Sequence, residues 1–186
     1  YPLKAGDTIL FQAAAGGVGL IACQWAKALG VTMIGTAGSD EKAELARAHG
    51  CTHTIVYTRE NFVERTRELT GGKGVPVVYD GVGKDTFMGS LDCLSKFGLM
   101  VIFGNASGAV TDLNTGVLAQ KGSLYLTRPT LDTYAGSRAE LLAMRDALVV
   151  GADRLDIEVA GGGAHPFQRW YDRQIYDRPR FKHVAG

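Results

Sequence analysis

The chain has 186 residues, 46% of them hydrophobic and 21% charged, with a formal net charge of +1. Such a length buries about 70% of the surface exposed by the unfolded chain, enough for one soluble α/β domain. Near-neutral charge gives no reason to expect nucleic acid or an acidic membrane as main partner, and the longest apolar stretches are strand-sized, too short to cross a bilayer.

The first segment, Tyr1-Pro-Leu-Lys-Ala-Gly-Asp7, is turn-rich and unlike a secretory signal. Residues 8–13 predict a first strand. The stretch Phe11-Gln-Ala-Ala-Ala-Gly-Gly-Val-Gly19 turns it tightly into a helix, 20–29, which Gly30 stops. Residues 31–36 read as a second buried strand. Ser39 or Asp40 can cap the next helix, 41–49, which ends at Gly50. A third strand follows at 53–56, then a polar helical pattern at 61–69, broken by Gly71-Gly-Lys-Gly74. Residues 75–80 form a fourth strand, with Pro76 placed at its start because proline cannot donate to a central ladder. The pattern continues with a helix at 87–94, a strand at 98–103 and a long loop at 104–114. One or two helical turns at 115–120, a sixth strand at 123–127 and a helix at 139–150 complete it. Cys23, Cys51 and Cys93 lack CxxC spacing and make no zinc pattern with the four histidines. They read as small buried apolar residues in a reducing cytoplasm.

Strands alternating with helices at this spacing predict a parallel sheet with helices on both faces. Right-handed crossovers favour the doubly wound, Rossmann-type order 3-2-1-4-5-6. The glycine turn, Asp80-Gly-Val-Gly83 and Phe103-Gly-Asn105 then all lie at strand carboxyl ends, where such sheets bind ligands. The turn matches a dinucleotide fingerprint with Ala14 in place of the first glycine: Ala14-x-Gly16-x-x-Gly19. Gly16 lets a pyrophosphate approach the backbone, Gly19 lets the helix pack on the strands, and free amides at the helix start hold phosphate.

NAD sites usually carry an acid about 20 residues beyond the glycines, on the ribose 2′-OH. Here the count lands on Gly38, which leaves room for a 2′-phosphate. Lys42, one turn later, could pair with it, and Tyr57 could add a hydroxyl. Asp40 and Glu41 remain candidates for the missing acid, and Lys42 for a solvated helix residue; the balance tips toward NADP.

Residues 13–30, Ala-Ala-Ala-Gly-Gly-Val-Gly-Leu-Ile-Ala-Cys-Gln-Trp-Ala-Lys-Ala-Leu-Gly, resemble the cofactor domain of quinone oxidoreductases. These form the zeta-crystallin-like, zinc-free branch of the medium-chain dehydrogenase/reductase superfamily. Val78-Tyr-Asp-Gly-Val-Gly83, Ser90-Leu-Asp-Cys-Leu94, Gly98-Leu-Met-Val-Ile-Phe-Gly-Asn-Ala-Ser-Gly108 and Gln120-Lys-Gly-Ser-Leu-Tyr-Leu-Thr-Arg-Pro129 continue the resemblance. It implies NADPH as hydride donor and quinones as acceptors. It carries the pyrophosphate turn onto Ala15, Gly16, Gly17 and Val18, and the 2′-phosphate site onto Gly38, Lys42 and Tyr57. Phe103, Gly104 and Asn105 fall beside the nicotinamide, with Arg128 as a further contact. Gly81 and Ala106 stand where relatives often have Ser.

The resemblance also implies a homodimer through the edge of the sixth strand. It assigns residues 1–150 to an NADP-binding domain and 151–186 to a segment that in relatives returns to a catalytic domain. Here 161–186 depart from the family ending and are rich in Arg and aromatics. The catalytic domain that precedes the cofactor domain in relatives is absent from this sequence, so the expectation is NADPH binding without useful turnover. Tyr79, Asp80 and His49 invite a catalytic role. Asp80 reads better as a turn cap and His49 as a helix-end contact, so no catalytic residue is named. The alternatives are an NADPH-dependent enone or enoyl reductase of the same superfamily, or a non-catalytic, RNA-associated NADPH-binding protein.

Overall fold

A computed structural model describes residues 1–154. The sequence-level expectations for 155–186, including the Arg- and aromatic-rich end, lie outside the described residues. Six parallel strands run β1 Thr8–Phe11, β2 Thr32–Ala37, β3 His53–Val56, β4 Val75–Asp80, β5 Leu94–Ile102 and β6 Tyr125–Thr127. They lie in the order β3-β2-β1-β4-β5-β6, as expected. The helices are α1 Gly17–Ala28, α2 Asp40–Ala48, α3 Phe62–Leu69, α4 Phe87–Cys93, α5 Gly116–Gln120, α6 Leu131–Tyr134 and α7 Arg138–Arg154. None of the described helices is long and apolar enough to cross a membrane.

The central strands are apolar on both faces, because helices cover both. Alternation along β1 distributes the core. Leu10 joins Ile34, Val78, Leu91 and Met100 in one cluster. Ile9 and Phe11 join Cys23, Ala26, Met33 and Val77 on the opposite face, which carries α1. Ser39 caps α2 by accepting from the Lys42 N–H, and Asn61 caps α3 by accepting from the Val63 and Glu64 N–H groups.

The boundaries that move do so for identifiable reasons. β1 ends at Phe11 because Ala13 takes a left-handed conformation, φ 57°, and starts the turn. β6 starts at Tyr125 because Ser123, also left-handed at φ 56°, follows Gly122 in a turn. β5 reaches back to Leu94, four residues before its predicted start. Val75 pairs with Leu94 but Val77 with Leu99, so residues 95–98 bulge out opposite Pro76. A proline N cannot join the ladder, and the irregularity sits where the donor is missing. α6 is a single turn, too short to leave a periodic signal.

Candidate cofactor site

The parallel order puts every strand's carboxyl end on one edge. The glycine turn opens that edge beside β1. Gly16 is the N-cap of α1, and no side chain caps the helix. The first-turn amides of Gly17 and Val18 therefore have no acceptor within the helix. Gly16, Gly17 and Val18 are exposed, and a Cβ on Gly17 would meet nothing within 4 Å. This is an open cradle with amides and the positive end of a helix pointing into it, the arrangement that binds phosphate.

Gly19 does different work. A Cβ there would stand 2.4 Å from the Ala14 carbonyl oxygen, so glycine is what lets α1 seat on the turn. Ala14, in the place of the usual first glycine, is fully buried. Its methyl lies against Gly35 of β2, where a Cβ would come within 2.5 Å of it. The glycine that the fingerprint lacks at 14 is in effect found on the neighbouring strand.

At the end of β2, Gly38 meets Tyr57, the residue that follows β3. A Cβ on Gly38 would stand 2.7 Å from the Tyr57 hydroxyl, so the phenol lies over the glycine. Lys42 is exposed in the first turn of α2, and its N–H bonds to Ser39 Oγ at 3.3 Å. The structure thus brings Gly38, Tyr57 and Lys42 to one corner. Asp40 is not the cap of α2: Ser39 is. Both Asp40 carboxylate oxygens are taken by Arg59, at 2.5 and 2.6 Å. Sequence reasoning missed Arg59, because nothing in its spacing from Asp40 marks a pair across two elements.

On the other side, the turns after β4 and β5 are laced together. The N–H of Ser107 donates to the Val82 carbonyl at 2.8 Å and that of Ala106 to Gly81 at 3.2 Å. A Cβ on Gly104 would stand 2.4 Å from the Gly81 oxygen, and one on Gly81 would stand 2.9 Å from the Phe103 ring. Glycine at 81 thus gives Phe103 its place. Phe103 also packs on Phe11, with ring centroids 5.6 Å apart. Gly104, Asn105 and Arg128 line one cleft of about 250 Å³, with Phe87, Ile102 and Leu126 as its apolar wall. Arg128 Nη1 donates to the Ile102 carbonyl at 3.3 Å, which fixes its guanidinium at the rim.

Beneath the edge lies a buried polar chain that the sequence did not announce. Thr36 Oγ1 donates to Gln12 Oε1 at 2.6 Å, and Gln12 Nε2 donates to Ser90 Oγ at 3.0 Å. Ser90 Oγ and Thr86 Oγ1 both donate to Asp80 Oδ2, at 2.8 and 2.7 Å. Asp80 Oδ1 accepts from the Val82 and Gly83 N–H groups at 2.8 and 3.0 Å. Asp80 is fully buried, so its carboxylate is satisfied by four donors and serves as the turn cap that the sequence suggested. The chain ties the glycine turn to the β4 turn, since Ala13 N–H donates to the same Thr36 hydroxyl at 3.0 Å.

The other tempting groups are structural. His49 Nδ1 lies 2.8 Å from the Leu45 carbonyl at the end of α2. Tyr79 stacks on Phe11 and lines an apolar groove on the α1 face with Leu3 and Trp25; burial raises its phenol. Burial likewise pushes the Cys93 thiol up to about 12. Among the described residues, no group of three His, Cys, Asp or Glu side chains comes together as a metal site.

Residues 17–143 match the family model described as zinc-binding dehydrogenase. A quinone oxidoreductase of Pseudomonas aeruginosa is 61% identical over 159 residues, covering 86% of this chain and 49% of its own length. A 2-haloacrylate reductase of a Burkholderia species is 49% identical over 142 residues, covering 76% of this chain and 43% of its own. Among solved structures, Escherichia coli quinone oxidoreductase complexed with NADPH superposes with a TM-score of 0.79 at 54% identity. It covers 86% of this chain and 50% of that one. The chain spans about half the length of the curated relatives it matches.

Proposed function

The chain belongs to the zinc-binding dehydrogenase family, and from that premise we propose that it is the cofactor-binding domain of an NADPH-dependent quinone oxidoreductase. One observation carries the reading. The Gly38–Tyr57–Lys42 corner after β2 and β3, the uncapped start of α1 after β1 and the Gly104–Asn105–Arg128 cleft after β5 and β6 follow one another along one sheet edge, the order in which an extended cofactor presents 2′-phosphate, pyrophosphate and nicotinamide.

Ala15, Gly16, Gly17 and Val18 hold the pyrophosphate through backbone amides. Gly38 gives the Tyr57 phenol room to lie at this corner, so that its hydroxyl meets the 2′-phosphate, and Lys42 supplies the opposing charge. Phe103, Gly104 and Asn105 flank the nicotinamide, and Arg128 stands at the far rim of that cleft. Bound there, NADPH supplies the hydride that reduces the acceptor. The chain's own work is positioning: fixed amides and a glycine-laced wall hold the donor ring where a flat acceptor can stack. The family name implies zinc, but the described residues offer no set of ligands for it.

The 2-haloacrylate reductase relative favours one second reading, reduction of an α,β-unsaturated carbonyl. Screening the intact protein that carries this chain separates them. Faster NADPH oxidation with benzoquinones supports the quinone reading; turnover confined to enones or haloacrylates transfers the assignment to the second. We further propose a homodimer through the edge strand β6, supported by Tyr125, 62% exposed on that edge. Cytoplasmic residence is the compartment that suits three unpaired, buried thiols.

A further inference from the structure

The inference concerns the choice between NADPH and NADH, and it rests on the NADPH reading above. Two acids follow Gly38 at the start of α2, Asp40 and Glu41, and Asp40 is paired. The Arg59 guanidinium takes both Asp40 carboxylate oxygens, at 2.5 and 2.6 Å, and holds that carboxyl below the usual carboxylate range. The Ser39 hydroxyl beside it also lowers the Glu41 carboxyl. Among the described residues, no carboxylate pairs with the Lys42 ammonium.

An unpaired acid at the end of the second strand accepts the ribose 2′-OH of NAD and opposes a phosphate in its place. Asp40 stands two residues past Gly38, close enough to play that part. Arg59 stands two residues past Tyr57, so the turn after β3 supplies both the phenol over Gly38 and the fork on Asp40. The guanidinium matches a carboxylate in two parallel bonds, which a lysine cannot do.

We propose that Arg59 is a specificity-determining residue that acts through Asp40. By occupying both oxygens it removes an acceptor for the ribose diol and cancels a charge that would repel a 2′-phosphate. Lys42 is left to face the phosphate. The pair is well exposed, with side chains 56% and 64% accessible, so it adds little to folding stability and its removal reads out in binding.

The test measures NADPH and NADH dissociation constants at low salt for the 186-residue chain, Arg59→Ala, Asp40→Ala, the Arg59→Ala/Asp40→Ala double variant and Lys42→Ala. The expected result is a loss of about tenfold in the NADPH-over-NADH ratio for Arg59→Ala, the size of a typical coupling. The double variant returns the ratio to near that of the parent, because no bare carboxylate remains. An unchanged ratio in Arg59→Ala overturns the proposal. Equal losses in the single and double variants overturn it too, since Arg59 would then serve the phosphate directly. Lys42→Ala separates the two layers: no change there refutes the NADPH corner itself, whereas a loss there with none in Arg59→Ala refutes only the role of Arg59.

Discussion

Lys42 and Asp80 show how differently two charged residues at one sheet edge behave. Lys42 is exposed, so removing it leaves the fold alone and acts on whatever binds there. Lys42→Ala is expected to raise the NADPH dissociation constant about tenfold, about 1.4 kcal/mol, and to leave NADH nearly unchanged, as read by calorimetry. Asp80 is fully buried, with four donors converging on it. Asp80→Ala strands those donors in the core and is expected to cost about 3 kcal/mol or more in urea unfolding. Asp80→Asn keeps one acceptor for the two amides, while the Thr86 and Ser90 hydroxyls rotate to accept from its NH₂; its loss is smaller, about 1 kcal/mol. A loss for Asn as large as that for Ala contradicts the acceptor role. The cysteines make a third case: all three are buried, so none is expected to react with a thiol reagent until the chain unfolds.

At the scale of elements, the turn into α1 separates glycines that serve the fold from one that serves the ligand. Gly19→Ala drives a Cβ to 2.4 Å from the Ala14 oxygen, and is expected to cost about 2–3 kcal/mol as α1 is pushed off the strand. Gly17→Ala meets open space and gains helix propensity. It is expected to leave stability equal or raise it by about 0.5–1 kcal/mol, yet weaken NADPH, because the methyl enters the cradle. Thermal melts with and without cofactor check both. Most elements were legible because β1, β2 and β4 are apolar runs bounded by glycines, and α1 to α4 follow at helical spacing. The strand ends were less legible where backbone conformation decides them. The left-handed turns at Ala13 and Ser123 and the bulge opposite Pro76 depend on neighbours that a local pattern does not contain.

At the scale of the whole molecule, the parallel order converts a linear list of strand ends into one edge, and that much could be read from the βαβ rhythm. The glycine turn, Gly38 and the turns after β4 and β5 fell into place because each is a strand terminus. The Thr36–Gln12–Ser90–Asp80 chain and the Arg59–Asp40 pair did not, since each joins side chains from separate elements. Assembly is the other whole-molecule question. If the proposed dimer pairs through β6, a charge on its exposed first residue, Tyr125→Asp, shifts elution in size-exclusion chromatography from dimer to monomer; an elution unchanged from that of the parent contradicts that interface. The central claim, that this edge holds NADPH by its 2′-phosphate, is met most directly by titrating the unaltered 186-residue chain with NADPH and NADH by calorimetry. The account predicts saturable binding of one NADPH per chain, with NADH weaker by about tenfold or more. Equal affinity for the two cofactors, or no binding of NADPH, would contradict it.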